Sequence, residues 1–269
     1  MIFQEPMKAF SPILTIGDQV TEPVLLHVTD NQEEANKIAV DMFNHVGISN
    51  PEQRLTEYPH QLSGGMRQRA MIAMALASNP SILIADEPTT ALDVTIQAQV
   101  LQLINELKRN IGTSVIFITH DLGVIAEMAD NVAVMYLGKV VEYTDVDTLF
   151  NNPAHPYTTA LMAAIPSAAR SSNRLLKSIP GIVPVPMNLP PGCGFYERCD
   201  FAEEGFCNVG DIPFVETEPG HKVRCLKADA ARLAARNAAG PIARPGVNEQ
   251  NNEEETAEIK EKEESGVTV

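Results

Sequence analysis

No stretch of the 269 residues approaches the roughly 18 consecutive apolar residues that a membrane-spanning helix requires. The N-terminus, MIFQEPMKAF, has no basic region leading into an apolar core, so no secretory signal is read there and a cytoplasmic protein is expected. Positive charge is scarce: the formal net charge is −15. Nucleic-acid binders usually carry a basic face, so nucleic acid is not an expected partner. The acidic excess is partly local. Eight glutamates against two lysines fall between Glu249 and Glu264, behind a run rich in small and helix-breaking residues, and 236–269 reads as an acidic disordered tail without chemistry. Internal repeats are absent. The 44% hydrophobic content is ordinary for a globular chain, long enough here for one large domain or two modest ones.

What remains is organised in blocks. EEANKIAVDMFNHVGI places Ile38, Met42 and Val46 on one helical stripe, with Gly47 where a helix would stop. SILIAD and SVIFITH are short apolar runs, as expected of parallel strands covered on both faces. Between them, Ile96, Val100, Ile104 and Leu107 repeat at helical spacing. VAVMY and KVVEYT read as a hairpin turning at Leu137-Gly138. Strand, helix and strand in succession mean an α/β sheet. From 146 to 235 the composition shifts toward proline and holds all four cysteines.

Four motifs carry chemistry. SILIADEP ends an apolar strand in two adjacent carboxylates, Asp86 and Glu87, at the sheet edge where ligands of open α/β sheets collect. One carboxylate can hold nucleotide-bound Mg²⁺ while its neighbour orients or deprotonates a water. In HQLSGGMRQRA, Ser63 is a good N-cap, and Gly64 and Gly65 let backbone N–H groups approach an anion at a helix N-terminus. His120 follows the second strand, where it can contact a transferring phosphate. Gln4, in IFQEP, carries an amide that can reach a metal or a water. Each motif alone has a bland structural reading: an acidic turn, a helix start, a structural histidine.

In order and spacing, these motifs together resemble the ATP-binding-cassette (ABC) ATPases. Gln4 matches the Q-loop, Leu62-Ser63-Gly64-Gly65-Met66 the signature, and Ile82–Asp86 the Walker B strand. Glu87 matches the catalytic glutamate, Ala91-Leu92-Asp93 the D-loop, and His120 the switch histidine. Met66 followed by Arg67-Gln68-Arg69, and NPAHPYTTALMAAIP with the proline-rich run after it, look like the peptide-importer branch. The resemblance implies a P-loop NTPase-like ABC core over 1–145, with a helical subdomain at about 18–80 and a catalytic core at 81–145. It also implies a C-terminal extension over 146–235. It implies ATP and Mg²⁺, the metal held by Asp86 and Gln4, with Glu87 activating water and His120 contacting the γ-phosphate. It further implies a second ATPase subunit met at Asp93, permease subunits, indirectly a solute-binding protein, and a peripheral place on the cytoplasmic face of the membrane. Peptides are the family-level substrate; nickel, opines and oligosaccharides belong to similar systems.

One required part is not found. No G-x-x-x-x-G-K-[ST] loop, whose amides and lysine cradle phosphates, occurs in the sequence. In the family that loop precedes the Q-loop, and this sequence begins three residues before Gln4. The expectation is a fragment or a misplaced start, with the core incomplete and the chain alone inactive. The rival is a non-catalytic subunit that lends only its signature, residues 62–66, to the partner's nucleotide. A non-transport ABC ATPase is a third reading, disfavoured by the HPYT segment and the cysteines.

Cys193, Cys199, Cys207 and Cys225 have five, seven and seventeen residues between them, unlike zinc C-x2-C pairs or common ferredoxin runs. Their spacing leaves structural thiols and metal ligands both open. The resemblance implies an iron–sulfur cluster on four such cysteines in some members, although Glu197 stands where proline is frequent.

Overall fold

A computed structural model describes residues 1–89, 94–164, 179–185, 187–189 and 191–230. The chain divides into two compact units, Met1–Asp121 and Leu122–Val269. Among the described residues no helix is long and apolar enough to cross a membrane.

The first unit begins with a helical layer: α1 (Pro6–Ala9), α2 (Ile16–His27), α3 (Gln32–His45), α4 (Pro51–Leu55) and α5 (Gly64–Leu76). A capping box starts α2, Thr15 Oγ1 accepting from the Asp18 N–H at 3.1 Å and Asp18 accepting from the Thr15 N–H at 3.2 Å. Asn31 caps α3 through the N–H groups of Glu33 and Glu34. The buried stripe of α3 is Ala35, Ala39 and Phe43. Of the expected stripe, Val46 is buried, while Ile38 and Met42 flank the buried row half-buried against Val24, Ala35 and Ala77. The shift has a steric cause: small side chains at the helix centre let neighbouring helices approach, and larger ones then pack at the margins. Gly47, at φ +68°, ends this helix as expected.

The sheet of this unit pairs β1 (Ile82–Asp86) in parallel with β2 (Ser114–Ile118), joined by α6 (Val94–Ile111). On α6, Val100, Leu101 and Ile104 are buried, while the side chains of Ile96 and Leu107 lie outside the described residues. Ile2 bridges Ala85 on the other side of β1 and so brings the N-terminus to the strand's end. The strands are not covered on both faces, contrary to their apolar reading. Leu83 and Ala85 are buried, but Ile82, Ile116 and Ile118 are exposed. Alternate residues point to opposite faces, and the register aligns Ile82 with Ser114, Ile84 with Ile116 and Asp86 with Ile118. One face therefore packs and the other stays open.

The second unit contains α7 (Leu122–Met128), the hairpin β3 (Asn131–Tyr136) and β4 (Lys139–Asp145), α8 (Val146–Asn151) and α9 (Pro156–Ala163). It closes with β5 (Val215–Glu218) and β6 (His221–Val223). The hairpin turns at Leu137 and Gly138, both at positive φ (+46° and +75°), as a two-residue turn of this twist demands. Its antiparallel sheet runs β3-β4-β6-β5, so strands from the cysteine-containing segment extend the hairpin. Val132, Val146, Leu149, Phe150 and Met162 form the core beside it.

Candidate functional site

The Gln4, Glu87 and His120 side chains converge at the carboxyl end of β1 and β2. Backbone pairing sets this up: the Ile2 N–H donates to the Ile84 carbonyl at 2.8 Å and the Asp86 N–H to the Ile2 carbonyl at 3.0 Å, placing Gln4 two residues beyond the pairing. The Glu87 N–H donates to the Ile118 carbonyl at 2.9 Å, tying it to the strand that leads to His120. Two side chains meet the oxygens of Glu87. Gln4 Nε2 donates to Oε2 at 2.7 Å, and His120 Nδ1 lies 3.1 Å from Oε1. A carboxylate only accepts, so Nδ1 carries the proton and Nε2 faces outward for another group. The His120 side chain is 73% exposed and that of Glu87 23%, an arrangement open to a ligand.

Glu87 holds this place at φ +43°, a left-handed conformation that a non-glycine side chain adopts at a cost of about 1–2 kcal/mol. Asp86, one residue earlier, ends β1. The Gln4 amide nitrogen is committed to Glu87.

The signature residues open α5. Ser63 Oγ accepts from the Met66 N–H at 3.3 Å as N-cap. Leu62 is buried and anchors the turn, Met66 is half-buried, and Ser63 and Gly64 are exposed. A Cβ on Gly64 or Gly65 would meet nothing within 4 Å, so the space before this helix end is open to an anion. Sequence reasoning missed Gln68. Almost fully buried, its amide nitrogen donates to the Pro88 carbonyl and links α5 to the residue after Glu87. Nothing in its spacing marks it, because a glutamine within a helix ordinarily reads as surface. Asp93, the expected dimer contact, lies outside the described residues.

In the second unit, Cys193, Cys199, Cys207 and Cys225 line one cavity together with His155 and Phe195. The Cys193 N–H donates to the Cys207 carbonyl at 2.8 Å. Burial pushes the Cys193 thiol up, Cys199 to about 11 and Cys225 to about 12. Without a bound cation these thiols stay protonated. Among the described residues no three histidine, cysteine or acidic side chains are placed to hold a single metal ion. Beside the cavity, Glu142 is fully buried. Its Oε1 accepts from the Ala154 N–H (2.7 Å) and pairs with His221 Nε2 (2.7 Å), and its Oε2 accepts from the His155 N–H (2.9 Å). Burial alone would raise this carboxyl; the donors, His221 foremost, outweigh it and hold it below its ordinary value.

Residues 1–90 match the ABC transporter family, and residues 141–207 match the oligopeptide/dipeptide transporter C-terminal region. The oligopeptide transport ATP-binding protein AppD of Bacillus subtilis is 52% identical over 226 residues, covering 84% of this chain and 68% of that protein. The oligopeptide transport ATP-binding protein OppD of the same organism is 52% identical over 223 residues, covering 83% of this chain and 60% of its own length. With half the residues shared across both the ATPase motifs and the cysteine-containing segment, the chain belongs to the ATP-binding proteins of the peptide ABC transporters.

Proposed function

We propose that the chain serves as an ATP-binding subunit of a peptide importer, working at the cytoplasmic face of the membrane with permease subunits and a second ATPase subunit. The convergence of Gln4 and His120 on Glu87 carries this reading. In it, Asp86 and the Gln4 carbonyl oxygen hold Mg²⁺, which neutralises phosphate charge. Glu87 accepts a proton from the attacking water and is kept in place by its two donors. His120 already donates through Nδ1, so contact with a phosphate oxygen through an Nε2–H requires the doubly protonated ring. Ser63, Gly64 and Gly65 close over the nucleotide of the opposing subunit, where the helix dipole and unpaired amides favour phosphate.

The 269 residues contain no phosphate-cradling loop, so the roles of Gln4, Asp86, Glu87 and His120 call for a loop on their own subunit, whereas the signature of these 269 residues can act in trans on a partner's nucleotide. The test mixes the chain with a subunit that carries the loop and with the permeases. Ser63→Ala together with Gly65→Asp should remove the turnover gained on mixing, because an aspartate there repels phosphate. Unchanged turnover would contradict the reading.

The cavity cysteines fit an iron–sulfur cluster as a donor set. Four cysteines line one cavity, and a cluster would spread its thiolates over several irons, further apart than around a single ion. When bound, a cluster supplies one-electron chemistry or a structural clasp, and the four cysteines would hold it. Iron and acid-labile sulfide in the anaerobically isolated protein would support this; their absence after reconstitution would leave the four as structural thiols.

A further inference from the structure

His155 is a buried ring with one nitrogen fully accounted for and the other not. It is 1% exposed. Nδ1 accepts the Tyr157 N–H at 3.0 Å, as the N-cap of α9, so the ring proton sits on Nε2. Among the described residues that Nε2–H is buried without a partner. Its surroundings hold the ring in place. Its backbone N–H is held by Glu142 at 2.9 Å, Pro156 fixes the next residue, and Phe195 stands 6.1 Å from it, centroid to centroid. His155 lines the same cavity as Cys193, Cys199, Cys207 and Cys225. A desolvated donor without an acceptor is costly and calls for an explanation in a ligand or an unseen group. Anionic sulfur is the acceptor that this cavity's own chemistry would bring.

We propose that His155 Nε2–H donates a hydrogen bond to a sulfur of the group held by the four cysteines and thereby raises its reduction potential. The proposal rests on the reading of that cavity as a cluster site. Hydrogen bonds to cluster sulfurs stabilise the more negative, reduced form and so move the potential upward. His155 is a positioning and tuning residue here, and the four thiols are the ligands.

The experiment uses the full chain reconstituted anaerobically with ferrous iron and sulfide, with the midpoint potential followed by electron paramagnetic resonance. His155→Asn keeps an N-cap for Tyr157 but is too short to present a donor to the cavity; His155→Phe keeps a ring and loses both nitrogens. Both variants should shift the potential negative relative to the unmodified chain, with iron and sulfide content retained in His155→Asn. In the unmodified chain labelled with ¹⁵N-histidine, a weak nitrogen hyperfine coupling should accompany the reduced signal. Iron and sulfide bound with an unchanged potential in both variants would overturn the proposal while leaving the cluster intact. So would the absence of that coupling, or a coupling as large as that of a ligating nitrogen, and these apply even where a variant fails to fold. No iron or sulfide in the unmodified chain would overturn the cluster reading itself, and this inference with it.

Discussion

Glu142 and Glu87 show what a single carboxylate can do in two settings. Glu87, at the open sheet edge, is restrained by two side chains and remains reachable. Glu142 is sealed, and its oxygens gather a histidine and two backbone N–H groups from the turn before α9. Replacing it with leucine leaves those donors buried and unpaired, and should destabilise the second unit by about 3–5 kcal/mol, read from chemical denaturation of that unit. The pH dependence follows from the depressed values. The Glu142 carboxyl titrates below its usual 4.5 in the folded chain, so its contribution is complete above that value and is lost as the pH falls below it. Burial lowers His155 from 6.5 to about 4, so the unfolded chain binds a proton in this window that the folded one refuses. Stability should therefore be full above pH 6.5 and fall by about 3 kcal/mol on acidification to 4. In the metal-free protein, His155→Asn should flatten the thermal midpoint over that window; an unchanged slope would contradict the assignment.

At the scale of elements, packing distance and helix coupling decide. Gly17 on α2 lies so close to α4 that an added Cβ would stand 2.7 Å from the Leu55 carbonyl oxygen. Backbone cannot step aside as a side chain can, so Gly17→Ala should cost about 1–3 kcal/mol, measured as a fall in the thermal midpoint of the first unit. Gln68 joins α5 to Pro88, so the helix proposed to meet a partner's nucleotide is tied to the loop that carries Glu87. Gln68→Leu strands the Pro88 carbonyl and should cost about 1–3 kcal/mol. In the assembled transporter it should lower maximal turnover more than apparent ATP affinity; a rise in KM alone would show that the link serves binding instead. Some of this was legible in the sequence. Ser63 as a cap, Gly47 as a helix stop and the Leu137-Gly138 turn are local signals with local causes, and they appear as read. The three-way meeting at Glu87 was legible only as the sum of motifs 83 and 33 residues apart. The buried centre of α3 was not, because alanine carries little apolar weight and yet allows close approach. Nor was the buried Glu142, since a glutamate in an alternating strand reads as solvent-facing until its donors, one of them 79 residues away, are known.

For the whole molecule, the two units carry separate chemistry: nucleotide motifs in Met1–Asp121, and the cysteine cavity and buried carboxylate in Leu122–Val269. The first unit has a signature helix that exposes Ser63 and Gly64 at its start and an assembled Glu87 cluster, and the 269 residues contain no loop to grip phosphate. In the proposed reading, the signature of these residues meets a nucleotide gripped by a partner's loop. The most direct measurement is the rate of ATP hydrolysis by the chain alone and by the chain mixed with a loop-bearing ATPase subunit and the permeases. The account predicts no turnover alone, turnover on mixing above that of the partner by itself, and loss of that gain with Ser63→Ala and Gly65→Asp combined. Hydrolysis by the isolated chain, or a gain that survives the loss of the signature, would contradict it.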